Sequence, residues 1–181
     1  MLYTFEGQKP SVGTDTYVSE LAQVIGNVII GDNCYIGHGA ILRGDYGRIE
    51  IGSGTAVEEG VIIHAPPDHF NKIGKRVTLG HGAILHGNFV GDEAVIGMGA
   101  VLSIFSEVGE GAIIAEGALV KLGQKIPPNV VAVGNPAEVK REVTSKDKDM
   151  WAYAKQLYAD LAKRYLKSGL HEIDLSECLK K

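Results

Sequence analysis

An aliphatic side chain returns at every sixth residue along most of this chain, and that spacing limits what the chain can fold into. Val12, Val18, Val24, Ile30, Ile36 and Leu42 stand six apart without a break. Ile51, Val57 and Ile63 resume the count after three extra residues, and Ile73, Leu79 and Leu85 after four more. Val90, Ile96, Leu102, Val108, Ile114, Val120 and Ile126 complete it after one deletion, with Ala132 as a degenerate last member. Period six matches neither the 3.6-residue helix nor the alternation of hairpin strands. It fits a parallel β-helix in which each hexad forms one short side and a turn. The aliphatic residue points inward. A small or aliphatic residue four positions on, such as Ala22, Cys34, Ala40, Ala83 or Ala112, shares the narrow interior. Many of the 24 glycines directly follow the aliphatic residue, as Gly31, Gly52 and Gly80 do, and they are expected to relieve the backbone where it bends.

The 181 residues suffice for one ordinary domain, and 45% apolar content permits a real core. A net charge of −4 argues against a nucleic-acid or membrane-surface partner. No apolar run is long enough to span a bilayer. Met1 to Pro10 carries no basic-then-apolar leader, and two cysteines, Cys34 and Cys178, make no disulfide framework, so a cytoplasmic location is expected. The repeat occupies residues 1–140. Residues 141–181 have a different texture, with Ser145 as a candidate cap for a helix running to Tyr165 or Leu166. Its stripe of Trp151, Ala154, Tyr158, Leu161 and Tyr165 is expected to pack on the solenoid or on a neighbouring subunit, and Gly169 suits its exit.

The repeat also serves as a ruler. With three sides named a, b and c from Val12 onward, Leu42, Ile63 and Leu85 fall on side c of successive coils. The residues after them, Arg43, His64 and His86, then share one outward position, stacked at about 4.8 Å. Two imidazoles at that spacing can share a metal ion. His81 lies two residues after Leu79, on side b. Five extended residues, roughly 15 Å, separate it from His86, so it cannot join the pair within one rigid chain. Either His81 is unrelated, or a metal site is split between subunits, for which a three-sided prism suits a trimer. His38 and His171 are read as structural, and His69, in Pro66-Pro67-Asp68-His69-Phe70, as a loop residue in preference to a proton shuttle, a role also open to Asp68.

The hexads resemble the hexapeptide-repeat family, which implies a left-handed parallel β-helix of about six to seven triangular coils followed by a C-terminal α-helix. Within it, Arg43-Gly44-Asp45, Gly60-Val61-Ile62-Ile63-His64-Ala65 and Leu79-Gly80-His81-Gly82-Ala83-Ile84-Leu85-His86-Gly87 are similar to the gamma-class carbonic anhydrases. That resemblance implies a homotrimer in which His64, His81 and His86 bind Zn²⁺ (or Fe²⁺ or Co²⁺) between subunits, two from one chain and His81 from the next. It further implies that Arg43 and Asp45 form an intersubunit ion pair, and that zinc-bound hydroxide hydrates CO2 to bicarbonate. Glu58 stands where that family usually has a glutamine that orients the hydroxide. An ionised Glu58 near the metal would raise the pKa of bound water and weaken the activity; alternatively, Glu58 is the base that takes the water's proton. The long acidic loop of the founding enzymes is missing, with only Asp68 and His69 in its place.

A second reading is a hexapeptide acyltransferase or a CoA-thioester hydrolase. Ala132-Val133-Gly134-Asn135-Pro136-Ala137, with Lys140 and Arg141 behind it, resembles the last coil of acetyltransferases that border a CoA channel. The third reading is a non-catalytic scaffold.

Overall fold

The structure, a computed structural model, describes residues 1–87 and 89–173, so Cys178 lies outside the described residues. The chain winds into a left-handed parallel β-helix of about seven turns, followed by one helix, α1 (Ser145–Ser168). Counting in sixes assigns the faces. Face a stacks Val12, Ile30, Ile51, Ile73, Val90, Val108 and Ile126. Face b stacks Val18, Ile36, Val57, Leu79, Ile96 and Ile114. Face c stacks Val24, Leu42, Ile63, Leu85, Leu102 and Val120. Most of these side chains, and the small residues four positions later, are fully buried in one continuous core. Each large aliphatic contributes roughly 1.5–3 kcal/mol by leaving water.

Both interruptions of the repeat lie where the spacing puts them. Gly26 pairs with Gly44 but Val28 with Ile49, so the three extra residues lie inside the long strand Ile41–Ile51. The four-residue insertion forms the turn at Pro66 to His69, with the His69 N–H donating to the Pro66 carbonyl at 3.2 Å. His69 is a loop residue whose ring rests 4.6 Å from that of Phe105.

The glycines correct one expectation. A Cβ on Gly31 would sit 2.7 Å from the Ser53 amide nitrogen of the adjacent coil, and one on Gly80 would sit 2.8 Å from that of Met98. Close stacking of coils, rather than the bend, therefore excludes a side chain there. The bends use a separate set of residues in the left-handed region, such as Gly82 at φ +69°.

The helix also differs from expectation at its start. Thr144, not Ser145, is the cap: its backbone is extended and its hydroxyl accepts from the Asp147 N–H. The Asp147 carboxylate accepts from the Thr144 N–H at 2.8 Å, completing a capping box. The helix runs three residues past Tyr165, to Ser168, and the Gly169 N–H closes it on the Tyr165 carbonyl. Tyr158, Leu161, Ala162 and Tyr165 pack on Tyr17, Tyr35 and Ala56 of face b. Trp151 lies off this cluster, beside a cleft of about 270 Å³ between α1 and face b. At the end of the solenoid, Val130–Val133 pairs antiparallel with Glu138–Glu142.

Candidate functional site

Two clusters on different faces hold the predicted residues. On face c, Arg43, His64 and His86 share one outward column. The two imidazoles stack with centroids 5.0 Å apart and planes 20° from parallel. Arg43 Nη1 donates to Asp45 Oδ2 at 2.6 Å, and Asp45 Oδ1 lies 3.1 Å from His64 Nε2. The resemblance implied that Arg43 and Asp45 pair between subunits. Here they already pair within one chain, because residues two apart on a strand point to the same side. Burial tends to push the Asp45 carboxyl up, but the hydrogen bond and charge of Arg43 outweigh it and hold the carboxyl below its ordinary range. Burial, helped by the Arg43 charge, lowers the His64 pKa against the pull of Asp45. Both lowering influences favour the neutral imidazole, the form that can offer a nitrogen lone pair.

His81 occupies the corner beyond Leu79 on face b, between Gly80 and Gly82. Its Nε2 is 3.2 Å from Glu58 Oε2 and its Nδ1 is 2.8 Å from Glu59 Oε2. Its backbone N–H also donates to Glu58 Oε2, at 3.1 Å. Glu58 directly follows Val57, which pairs with Leu79 one coil on, so it belongs with His81 and not with the His64–His86 pair. Glu58 is only 5% exposed. Burial pushes its carboxyl above the ordinary range, and His81 offsets part of this. Burial acts the same way on Glu59, but the Tyr35 hydroxyl, a backbone N–H and His81 together bring Glu59 below its ordinary range.

Two neighbours were not foreseen as site residues. The Tyr158 hydroxyl of α1 lies 3.4 Å from His81 Nε2, and burial and Glu58 both raise its pKa. Glu59 carried a signal, since it shares the phase of His81 one coil earlier. Tyr158 carried none, because it lies outside the repeat.

Other candidates are accounted for locally. His38 bonds the Ser19 hydroxyl through Nδ1 at 2.6 Å and the Tyr165 hydroxyl through Nε2 at 3.2 Å. His171 meets the Ser168 carbonyl. The Ala132–Ala137 segment closes the last coil, with Gln124 Nε2 donating to the Ala137 carbonyl at 2.7 Å. Arg141 is committed to Asp147 through two bonds of 2.6 and 3.0 Å.

Among the described residues of one chain, no three His, Cys, Asp or Glu side chains converge on a metal position. His64 and His86 bring two imidazoles together on face c, and among the described residues of the chain no third such side chain joins them. Beside them runs an outward apolar ladder of Ile41, Ile62, Ile84, Val101 and Leu119 in register. Ile62 and Ile84 are 39% and 40% exposed. Helix α1 covers part of face b and leaves this ladder uncovered. Among the described residues, no helix is long and apolar enough to cross a membrane.

Residues 9–44 match the family model for bacterial transferase hexapeptides (six repeats). Residues 27–65 and 71–103 match the model for the hexapeptide repeat of succinyl-transferase. The chain is 39% identical over 170 residues to the carnitine operon protein CaiE of Salmonella agona, covering 94% of this chain and 85% of that one. A putative acetyltransferase of Bacillus cereus has a solved structure with a TM-score of 0.89 and 32% identity, covering 91% and 95% of the two chains. A hexapeptide transferase family protein of Anaplasma phagocytophilum gives 0.87 and 32%, covering 91% and 97%. These matches do not separate the carbonic-anhydrase class from the transferases. From the register of its coils, its hexads and these relatives, the chain belongs to the hexapeptide-repeat family.

Proposed function

We propose that this protein is a homotrimeric hydrolase of CoA thioesters that works through a metal ion held between subunits. His64 and His86 of one subunit and His81 of the next are its ligands. The observation that carries the reading is the division of the three imidazoles. Two stack on face c beside a bare apolar ladder, and one stands on face b with two carboxylates. A second copy laid on the ladder would bury that surface and supply the missing donor. The donors fit Zn²⁺, with Fe²⁺ or Co²⁺ as alternatives: imidazoles backed by carboxylates are the usual support for such ions.

When bound, the ion supplies Lewis acidity, bringing the pKa of a water toward ~7 and polarising a carbonyl. The chain's own residues do the rest. Arg43 fixes Asp45, and Asp45 orients His64. Glu58, buried against His81, takes the water's proton as its oxygen adds to the thioester carbonyl carbon. The C–S bond then breaks, and the thiol leaves with that proton. The transferase names of the matched family models and of the 32%-identical structures support an acyl substrate.

CO2 hydration at the same site is the second reading. The Arg43–Asp45–His64 chain and the histidine spacing favour it, and Glu58 in place of glutamine predicts that it is weak. Protein purified without chelator should hold about one metal ion per chain and release thiol from acetyl-CoA. A protein without stoichiometric metal overturns both readings. Stopped-flow CO2 hydration without thiol release selects the second. Metal-poor His64→Ala and His81→Ala chains, reassembled together, should regain part of the metal binding, since a mixed trimer can face an intact pair with an intact His81. No recovery despite proven mixing rejects the split site.

A further inference from the structure

We infer that Glu59 is a positioning residue that sets the tautomer of His81, and that Tyr35 holds Glu59 in place. Both carboxylate oxygens of Glu59 are engaged. Oε2 lies 2.8 Å from His81 Nδ1, and Oε1 accepts from the Tyr35 hydroxyl at 2.6 Å. On the other side of the imidazole the contacts are longer: Glu58 Oε2 is 3.2 Å and the Tyr158 hydroxyl 3.4 Å from Nε2. A neutral imidazole carries one N–H, and the shorter carboxylate contact decides which nitrogen bears it. The proton sits on Nδ1 and donates to Glu59, leaving the lone pair on Nε2, beside Glu58 and the Tyr158 hydroxyl, as the ligand atom.

Tyr35 cannot turn away easily. Its ring packs between Tyr17, at 5.6 Å, and Tyr158 of α1, at 5.3 Å. The tyrosines beneath α1 therefore connect, through Tyr35 and Glu59, to the ring of His81. The functional meaning rests on reading His81 as a metal ligand; the tautomer does not.

Full-length protein with ¹⁵N-labelled histidine, stripped of metal, is examined by NMR at about pH 8.5, roughly two units above an ordinary imidazole pKa. His81 is assigned by its loss in His81→Asn. The expected result is the Nδ1–H tautomer at His81 in the native protein. Glu59→Gln, which keeps an acceptor oxygen, should retain it, and Glu59→Leu should lose it. Chelator-competition titration should show zinc binding about 10–100-fold weaker in Glu59→Leu, with a smaller loss in Tyr35→Phe. A merely structural Glu59 would lower the thermal midpoint and leave the tautomer alone. An Nε2–H tautomer in the native protein overturns the inference, as does native-like zinc affinity in Glu59→Leu. Native protein showing the Nδ1–H tautomer but binding no zinc overturns the metal reading of the site and leaves the role of Glu59 standing.

Discussion

Faces b and c are built from the same hexad and the same ladder, yet their outer surfaces differ. Face b carries polar and aromatic side chains, Tyr17, Tyr35, Glu58, Glu59 and His81, and α1 lies against part of it. Face c carries isoleucine, valine and leucine in an outward column beside the histidines, and among the described residues α1 packs on face b instead. Inward-facing residues determine the fold, while outward-facing residues determine what each face meets. A face closed by its own helix can hold a buried carboxylate such as Glu58. The apolar face is the one on which the proposed trimer would close, and on this chain that face carries the histidine pair.

The strongest way to break this contrast is to put charge on the bare face. Ile62→Asp with Ile84→Asp changes two outward residues and no core residue. Sedimentation should move from about three chain masses to the 19.3 kDa of one, with circular dichroism unchanged and metal binding abolished. A charged face c that still assembles would mean that the ladder is not the interface.

The next test compares neighbours on one strand. Leu85 is fully buried and Ile84 is 40% exposed. Leu85→Ala should cost about 2–5 kcal/mol in denaturant unfolding, through lost burial and the cavity left behind. Ile84→Ala should cost under about 1 kcal/mol in the dissociated chain while weakening assembly. Equal costs in the dissociated chain would deny the inward–outward division on which the contrast rests.

Glu58 sharpens the description of face b. Burial holds its folded-state pKa above the unfolded value, so folding favours the protonated form. That stability is intact below the unfolded value of about 4.3 and is lost as pH rises toward the folded one. In metal-free protein, Glu58→Gln should therefore match the native thermal midpoint near pH 4 and exceed it by a few degrees near pH 8. Parallel midpoints across that range would mean that Glu58 carries no burial penalty.

Much of this was legible because the solenoid is a ruler. The positions of Leu42, Ile63 and Leu85 alone placed Arg43, His64 and His86 in one column, and that of Leu79 put His81 on another face. The ruler measures backbone phase and says less about contacts. Glu58 was singled out by the family resemblance rather than by the count, and neither showed that its partner is His81. The count passed over Glu59, although that residue has the phase of His81. Beyond residue 140 there is no period to count, so Tyr158 read as packing only, and the cap was placed one residue late. The glycines were read as bends because bends are a local property, whereas their close approach to the next coil is visible only in three dimensions. Arg43 and Asp45 pair within the chain because the insertion remains strand, which the count of extra residues alone did not reveal.

The smallest expected effect concerns the start of the helix that clothes face b. Thr144→Ala removes the hydroxyl of the capping box and should cost about 1 kcal/mol, seen as fraying of the first turn of α1 in amide exchange. Tyr158 lies about four turns further on, so its contacts with His81 and Tyr35 should survive. Asp147 gives the same helix end a pH dependence. Its bonds to Arg141 and Thr144 hold its carboxyl well below the ordinary range. The stability it confers is present above the unfolded value and is lost as pH falls through about 4 toward the folded one. Asp147→Asn should flatten that acid limb of the thermal midpoint while leaving the neutral-pH tautomer of His81 untouched. If that tautomer changed, the start of α1 would be coupled to its middle, where Tyr158 meets His81, and face b could no longer be treated as a set of local contacts on a rigid frame.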